Sequence, residues 1–379
     1  MIAAIAIKAV LAATLAAERI GSDLRHSPRT ETRAPARHAA ASRIEMVEMV
    51  IGISARDIIG SVVQHRTEPG SIYAIAGPTA SGKTELGVEV ALRVGGEVIN
   101  CDSVQIYKQI QIATAKPSAE EMRGVPHHLI GYVDANVNYT AADWAADAAA
   151  KIREIESRGR VPILVGGTGF YLRTLKQPLF DSPKTDEQLR ERFRAIHAAK
   201  GAEYLYRMLS RIDAAAAAGL PPKDHVRVIR ALEVYFQTGR RISEIRPQRA
   251  DPPEFVGRIV TFVLNPPRAT LYDMIDRRTE RHFEAGLVDE VKQLRASGVK
   301  DSTNALGAHA YRRVCEYLRG ERTLAEAIEK SQQDVRNYAK RQLTWFRREP
   351  DVIWLDGFGS DPEMADRVLA ARPLSAAPK

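Results

Sequence analysis

Apolar and polar positions alternate along residues 71–179 in a pattern that predicts strands separated by helices. Residues 72–76 form a short apolar run that ends at a glycine, and similar runs at 97–101 and 161–165 predict two further buried strands. Apolar residues recur at helical spacing between these runs, first at Leu86, Val90 and Val94 and then at Trp144, Ala148, Ile152 and Ile155. The second of these helices begins with the capping box Thr140-Ala-Ala-Asp143. Strands that alternate with helices favour a parallel sheet covered on both faces.

The strand pattern stops between residues 180 and 252, where helical stripes follow one another. The first two stripes are Leu189, Phe193 and Ile196, and Leu205, Leu209 and Ile212. A third helix is predicted from about 224 to 238, where Gly239 ends it. We interpret this segment as a helical insertion, because a strand predicted at 258–264 resumes the sheet. Helices follow to about residue 348, and one begins with the capping box Thr323-Leu-Ala-Glu326.

The first 70 residues differ in composition from the rest of the chain. Arginines recur there among Ala, Ser, Thr and His with few acids, as in transit peptides. A start codon assigned too far upstream, with Met46 or Met49 as the true start, and a dispensable extension are the alternatives. The predicted organisation is an N-terminal extension at 1–70, a core at 71–179 and 253–358, the insertion at 180–252 and a tail at 359–379, disordered after Pro373.

Charge and cysteine content narrow the class of protein. The 379 residues carry a formal net charge of +8, which favours an anionic partner, either nucleic acid or a phosphorylated small molecule. Cys101 and Cys315 are too few for a disulfide framework or a zinc site, so a reducing, cytosol-like compartment is expected. The sequence contains no run of about 18 apolar residues, so no membrane span is predicted.

The segment from Gly77 to Thr84, Gly-Pro-Thr-Ala-Ser-Gly-Lys-Thr, matches the G-x4-G-K-[ST] phosphate loop of ATP-binding and other nucleotide-binding proteins. It lies between a predicted strand and a predicted helix, which is the context that the motif requires. Backbone N–H groups of the loop and the helix N-terminus bind phosphate oxygens, and Lys83 adds a positive charge. Thr84 can ligate Mg²⁺. The motif does not identify the phosphate ester that is bound.

Two further charged residues are placed to act near the loop. Asp102 follows the second predicted strand, at the sheet edge where open α/β sheets place their sites. Its carboxylate is either a metal ligand or a general base, and the alternative is a helix N-cap before Ser103. Arg278 is either at the edge of the core or directed at an anion. Its helical stripe also contains Leu271, Ile275 and His282.

Two helices carry basic residues on one face. Arg227 and Arg230 form the first set. The second set is Arg336, Lys340 and Arg347, interleaved with Tyr338, Trp345 and Phe346. Basic faces with aromatic residues suit an RNA backbone and unstacked bases, whereas a solvated charged surface is the alternative. His127-His128 is interpreted as structural, because no third metal ligand is spaced nearby.

Together these features make the chain similar to the tRNA dimethylallyltransferase (tRNA isopentenyltransferase) family of bacterial type, over about residues 72–348. The resemblance implies an α/β fold with a P-loop NTPase-like parallel sheet, helices on both faces and a helical insertion domain. Besides the phosphate loop, it rests on Asp102-Ser-Val-Gln-Ile-Tyr107, Thr114-Ala-Lys-Pro117, Pro126-His-His-Leu129, Val165-Gly-Gly-Thr-Gly-Phe-Tyr171, Arg230-Ala-Leu-Glu-Val234 and Tyr338-Ala-Lys-Arg-Gln-Leu-Thr-Trp345.

The resemblance implies transfer of the dimethylallyl group from dimethylallyl diphosphate to the exocyclic N6 amine of the adenosine 3′-adjacent to the anticodon, with release of diphosphate. Asp102 would accept the amine proton, Thr79 would position the amine and Arg278 would neutralise the leaving group. The implied diphosphate site is Gly77, Pro78, Thr79, Ala80, Ser81, Gly82, Lys83 and Thr84, with Mg²⁺ on Thr84. The implied tRNA contacts are Asp102, Ser103, Val104, Gln105, Thr168, Arg190, Arg227 and Arg230. The chain would be a cytoplasmic monomer.

Three stretches depart from the family pattern. The family usually has Gly-Tyr-Lys-Glu where this chain has Gly307-Ala-His-Ala-Tyr-Arg312. The resemblance therefore implies no RNA contact for this stretch. Ala113 replaces a glycine, and Ile130-Gly131 stands where an aspartate is usual. The competing hypotheses are a P-loop kinase acting on a nucleotide or small metabolite and a nucleotide-switched RNA-binding protein without prenyl chemistry.

Overall fold

The computed structural model describes residues 70–181 and 183–371. The predictions for residues 1–69 and for the tail after Pro373 lie outside these ranges. The boundaries predicted between extension, core and insertion stay predictions. Within the described ranges, no helix has the length and apolarity needed to cross a bilayer.

Six parallel strands form a single sheet in the order β3-β2-β4-β1-β5-β6. The predicted parallel sheet is therefore confirmed, although the short β3 and the edge strand β6 were not predicted. Because β1 lies between β4 and β5, the loop that follows it begins at the middle of the carboxyl edge of the sheet. The strands are β1 (Ile72–Ala76), β2 (Gly96–Asn100), β3 (His127–His128), β4 (Val161–Gly166), β5 (Ile259–Asn265) and β6 (Val352–Asp356).

Helices account for most of the other described residues, and two 3-10 turns lie at Ile112–Thr114 and Val256–Arg258. The capping boxes predicted at Thr140 and Thr323 are both formed. The helices are α1 (Lys83–Val94), α2 (Ala119–Met122), α3 (Ala141–Ser157), α4 (Gly169–Lys176), α5 (Glu187–Lys200), α6 (Ala202–Ile212), α7 (Ala214–Ala218), α8 (His225–Thr238), α9 (Ile242–Ile245), α10 (Arg268–Glu284), α11 (Leu287–Ala296), α12 (His309–Leu318), α13 (Leu324–Phe346) and α14 (Met364–Ala370).

Both faces of the sheet are covered, as the continuous apolar runs predict. Side chains alternate between the faces of a strand, so Ile72, Ala74 and Ala76 pack in one cluster with residues of α3, α4 and α13. Tyr73 and Ile75 point the other way, into a cluster with residues of α1 and α14. The central strand is fully buried between these two layers.

The segment between β4 and β5 contains no described strand longer than an isolated bridge and is helical from α5 to α9. Its apolar stripes pack into a core of their own, which includes Phe193, Leu205 and Leu232. The predicted third helix begins after the capping Asp224 and ends at Gly239, whose φ of 71° lies in the left-handed region. The antiparallel bridge between Phe180 and Arg249 joins the two ends of the segment.

The chain after α13 returns to the phosphate loop. Strand β6 pairs with β5, and the backbone N–H of Gly359 then donates to Ser81 O at 2.8 Å. Helix α14, which falls in the segment named a tail from the sequence, packs on α1 through Met364 and Val368. The C-terminal segment therefore packs against the phosphate loop.

Candidate functional site

The phosphate loop turns from β1 into α1 through backbone conformations that need glycine. Gly77 and Gly82 have φ values of 147° and 81°, where a side chain is strained. A Cβ on Gly82 would also lie 2.9 Å from the backbone nitrogen of Gly359. The fold therefore requires glycine at both positions. The loop that they shape lines a cavity.

Two cations of different helices lie beside the loop. Lys83 Nζ donates to Pro78 O at 2.6 Å, and Arg278 Nη2 donates to Thr79 Oγ1. Burial lowers the pKa of Lys83 to about 8, an effect that Asp102 opposes and Arg278 reinforces. Burial also lowers the pKa of Arg278, which Asp102 again opposes. From the sequence, the Arg278 side chain could lie at the edge of the core or point toward an anion. In the structure it points toward the phosphate loop.

Asp102 lies at the carboxyl end of β2 and uses only one of its oxygens to hold the backbone. Asp102 Oδ1 accepts hydrogen bonds from the N–H groups of Val104 (2.8 Å) and Gln105 (3.3 Å). The second oxygen, Oδ2, accepts no hydrogen bond from residues 70–181 or 183–371. Since residues 103–106 form a turn rather than a helix, the capping alternative holds only in part: the carboxylate caps a turn and keeps one oxygen available.

A buried glutamine of α13 connects the loop to the Gly-Gly-Thr-Gly segment after β4. Gln342 Oε1 accepts from the Thr79 N–H at 2.8 Å, and Gln342 Nε2 donates to Gly167 O at 2.9 Å. A Cβ on Gly167 would come within 2.0 Å of Gln342 Nε2, and a Cβ on Gly169 within 2.2 Å of the Trp345 ring. The glycines therefore let α13 approach the sheet edge. Gln342 belongs to a motif noted in the sequence, but no role was predicted for it.

Two cavities meet at three of the predicted catalytic residues. The larger cavity has a volume of about 320 Å³ and is lined by the phosphate loop. The smaller one, about 60 Å³, is lined by apolar and aromatic residues. Thr79, Asp102 and Arg278 line both cavities. The smaller cavity is further lined by Val104, Ala113, Ala308, Ala310, Tyr311, Val335 and Tyr338 and by two histidines.

The two histidines of the smaller cavity, His282 and His309, are held neutral. Burial lowers the pKa of each imidazole to about 4, and neighbouring arginines add to the effect. The ring of His309 packs against Tyr338 with their centroids 4.3 Å apart. His309 belongs to the stretch that departs from the family pattern, and no site role was predicted for it.

The loop that carries Thr114-Ala-Lys-Pro117 forms a shared wall of both cavities and is held by buried polar contacts. The carboxylate of Glu290 accepts from the N–H of Ile112 at 3.3 Å and from the hydroxyl of Tyr311 at 2.9 Å. The same hydroxyl accepts from the Ala113 N–H at 3.1 Å. Tyr311, which also lies in the divergent stretch, therefore supports the wall of the site.

The residues implied to contact tRNA lie in two places. Asp102, Ser103, Val104, Gln105 and Thr168 are together at the rim, where the Ser103 N–H donates to Thr168 Oγ1 at 3.0 Å. The three arginines lie on the insertion. Arg190 and Arg230 both bind the buried carboxylate of Glu233, whereas Arg227 pairs with Asp224 and its side chain is 66% exposed.

The aromatic residues of the second basic stripe are not available to stack on bases. Phe346 is buried in the core, Trp345 lies under the guanidinium of Arg173 at 4.1 Å, and Tyr338 packs on His309. Arg336 is paired with Asp276 at 2.5 Å. For this helix the structure therefore favours the alternative of a charged surface.

The adjacent histidines of β3 each form a hydrogen bond within the fold, and their interpretation as structural stays a prediction. His127 Nδ1 bonds to Val125 O at 2.8 Å, and His128 Nε2 bonds to the Glu97 carboxylate at 2.7 Å. No cluster of three or more His, Cys, Asp or Glu side chains suited to a metal occurs among the residues described. Both cysteines are buried and unpaired.

Comparison with known proteins gives consistent matches over this part of the chain. A family model described as IPP transferase matches residues 105–349. The tRNA dimethylallyltransferase of Solibacter usitatus (strain Ellin6076) is 44% identical over 298 residues, which are 79% of this chain and 96% of that protein. The tRNA dimethylallyltransferase of Koribacter versatilis (strain Ellin345) is 45% identical over 301 residues, with 79% and 96% covered.

Two solved structures are similar in fold. The tRNA isopentenylpyrophosphate transferase from Bacillus halodurans superposes with a TM-score of 0.57 at 40% identity, covering 79% of this chain and 93% of that one. A eukaryotic dimethylallyltransferase acting on tRNA superposes with a TM-score of 0.63 at 28% identity, covering 78% of this chain and 75% of that one.

Proposed function

Since the chain belongs to the tRNA dimethylallyltransferase family, it is a prenyltransferase that transfers a dimethylallyl group to tRNA, and we propose how its site carries out the transfer. In this proposal the donor is dimethylallyl diphosphate and the acceptor is the N6 amine of the adenosine 3′-adjacent to the anticodon. One observation carries it: Thr79, Asp102 and Arg278 lie where the phosphate-loop cavity meets a smaller cavity with a mainly apolar and aromatic lining.

The larger cavity suits the diphosphate. Loop N–H groups and the two half-buried cations, Lys83 and Arg278, would surround the phosphate oxygens. They would stabilise the negative charge that develops as the allylic C–O bond breaks. Such groups are worth far more in a water-excluded site than in water. The Arg278 side chain would thus bind the leaving group while it holds the Thr79 hydroxyl in place.

The loop also has the oxygen donors that a magnesium ion prefers. Thr84 lines the cavity, and within the described part of the chain the buried Ser81 Oγ has no hydrogen-bond partner. Mg²⁺ keeps several waters and is usually bound by one or two protein oxygens together with substrate phosphates. We propose that Thr84 holds Mg²⁺, which when bound would share the charge of the diphosphate.

Asp102 is the group best placed to accept the amine proton. Two backbone N–H groups fix Oδ1, so Oδ2 is directed without further ordering of the side chain. A positioned base contributes roughly 10²–10⁴-fold to a rate. The adenosine would have to leave its stack to bring its amine between Asp102 and Thr79.

The smaller cavity suits the five-carbon chain of the donor. Apolar and aromatic side chains and two neutral imidazoles, His282 and His309, form most of its lining. The charged groups of Asp102 and Arg278 lie where it meets the larger cavity. The volume of about 60 Å³ favours a short prenyl group over a longer one.

We further propose that tRNA contacts the rim formed by Asp102, Ser103, Val104, Gln105 and Thr168 and the arginines of the insertion. Arg227 offers the most exposed of these guanidinium groups. A cytoplasmic location and a monomeric state complete the proposal; the net charge of +8 suits the polyanionic partner.

Nucleoside mass spectrometry tests this function. An anticodon stem-loop RNA with adenosine at the position after the anticodon is incubated with the enzyme, Mg²⁺ and dimethylallyl diphosphate. We expect that adenosine to gain one five-carbon group, and to gain much less of a ten-carbon group from geranyl diphosphate. Phosphoryl transfer from ATP without any prenyl adduct would instead support the kinase hypothesis.

Asp102→Asn should separate proton removal from donor binding. The amide oxygen of the asparagine can still accept the two backbone hydrogen bonds, so the fold should be kept. The kcat should fall by roughly 10²-fold or more because the base is removed, while the KM for dimethylallyl diphosphate stays unchanged. Steady-state kinetics measure both, with Asp134→Asn, another turn-capping but exposed carboxylate, as the control.

The alternative role of Asp102 gives a different result. If its carboxylate were chiefly a Mg²⁺ ligand, the affinity for the diphosphate would fall together with kcat, and additional Mg²⁺ would partly restore both. A variant that transfers the prenyl group at the wild-type rate would exclude the base assignment.

Binding of tRNA should weaken steeply with salt, because neutralised phosphates release counterions. Replacing Arg227 and Arg230 with Ala should flatten the slope of log K against log salt by about 0.7 to 0.9 for each phosphate that is no longer neutralised. Arg227→Ala alone is the cleaner variant, because Arg230 also binds the buried Glu233. Arg207→Ala/Arg211→Ala on α6 is the charge-matched control. If the double replacement of Arg227 and Arg230 leaves the slope unchanged, α8 does not face the RNA.

A further inference from the structure

A separate cavity of about 210 Å³ lies where the helical insertion meets α4 of the core. None of Thr79, Asp102 or Arg278 lines it, so it is distinct from the reaction site. We refer to it as the cleft pocket. Its walls are Phe170, Leu179, Phe180, Ala216, Leu220, Ala231 and Ile242, with the guanidinium-bearing Arg227, Arg230 and Arg246.

The apolar rim of the cleft pocket is exposed yet held in place. Phe170 and Leu179 are 44% and 36% exposed, which is unusual for large apolar side chains. The Phe170 ring meets Trp345 edge to face with the centroids 6.1 Å apart, and Trp345 is itself covered by Arg173. Phe170 is therefore a fixed aromatic surface that faces solvent.

The charged part of the pocket is cationic. Arg246, at the end of α9, forms no side-chain ion pair or hydrogen bond within the residues that the structure describes. Arg227 is largely exposed and has one ion pair, to Asp224 at 2.9 Å. An apolar floor with an aromatic rim and arginines suits an unstacked nucleic-acid base and its phosphate.

The pocket and the rim of the reaction site both include residues at the start of α4. Phe170 is in the first turn of α4, two residues after Thr168, whose hydroxyl accepts from the Ser103 N–H beside Asp102. A polynucleotide that places one residue in the reaction site would therefore pass its neighbour across Phe170.

We propose that the cleft pocket binds the base of a nucleotide adjacent to the modified adenosine, with Phe170 stacked on the base and Arg246 at its phosphate. This inference rests on the proposed function and deepens it, because it gives the enzyme a second point of contact with the anticodon loop of the RNA. Stacking on an aromatic residue tolerates any base, so the pocket would require that a neighbouring base is present and extruded.

The test uses the full chain and anticodon stem-loop RNAs that carry an abasic nucleotide on the 5′ or the 3′ side of the target adenosine. Phe170→Ala should weaken binding of the intact RNA by roughly 5- to 100-fold. It should have little effect on the RNA that lacks the base bound by the pocket. Arg246→Gln should weaken both RNAs and flatten the salt dependence. Phe236→Ala, an exposed phenylalanine of the insertion outside the pocket, is the control.

Several outcomes would overturn the proposal. One is that Phe170→Ala weakens the intact and both abasic RNAs equally, so that no coupling exists between ring and base. Another is that neither Phe170→Ala nor Arg246→Gln affects RNA binding, in which case a different partner, such as an acidic protein, occupies the pocket. Prenyl transfer by the wild-type enzyme is measured alongside, so a failure of the pocket is distinguished from a failure of the proposed function.

Discussion

Two half-buried cations, Lys83 and Arg278, lie beside the phosphate loop in a cavity that Asp102 also lines, and the repulsion between them governs the site. Burial lowers the pKa of both cations, and the charge of Arg278 lowers the pKa of Lys83 further. A bound diphosphate would relieve this repulsion, because its negative charge compensates the charge of both cations. The same arrangement is catalytic, since the charge on the diphosphate rises as it leaves.

The scaffold keeps the cations at fixed positions through close contacts between α13 and the sheet edge. Gln342 joins the phosphate loop to Gly167, and the ion pair of Arg336 with Asp276 joins α13 to α10, the helix that carries Arg278. The buried amide of Gln342 would be costly to leave unpaired. Gly167 and Gly169 have no side chains to obstruct α13, so the main role of these glycines after β4 is to allow close packing of that helix.

Periodicity and motifs predicted the parts of the fold that depend on local sequence. The central strands, α1, the capped helices and the phosphate loop all follow from apolar spacing, capping boxes and glycine positions. Strand β6 was missed because its apolar run is short and its pairing with β5 is non-local. The role of Gln342 and the neutral state of His309 were equally out of reach, because both arise from burial between elements distant in sequence. The direction of Arg278 could be decided only once α10 was placed against the loop.

The most direct measurement of the central claim is the proton uptake that accompanies binding of dimethylallyl diphosphate, by calorimetry at pH 8 in buffers of different ionisation enthalpy. Lys83, with a pKa of about 8 in the free enzyme, is about half deprotonated there, and a bound diphosphate raises that pKa. Wild-type enzyme should therefore take up as much as about half a proton more than Lys83→Arg, whose side chain is always charged. Equal uptake by the two proteins would contradict the account, because the diphosphate would then not lie against Lys83.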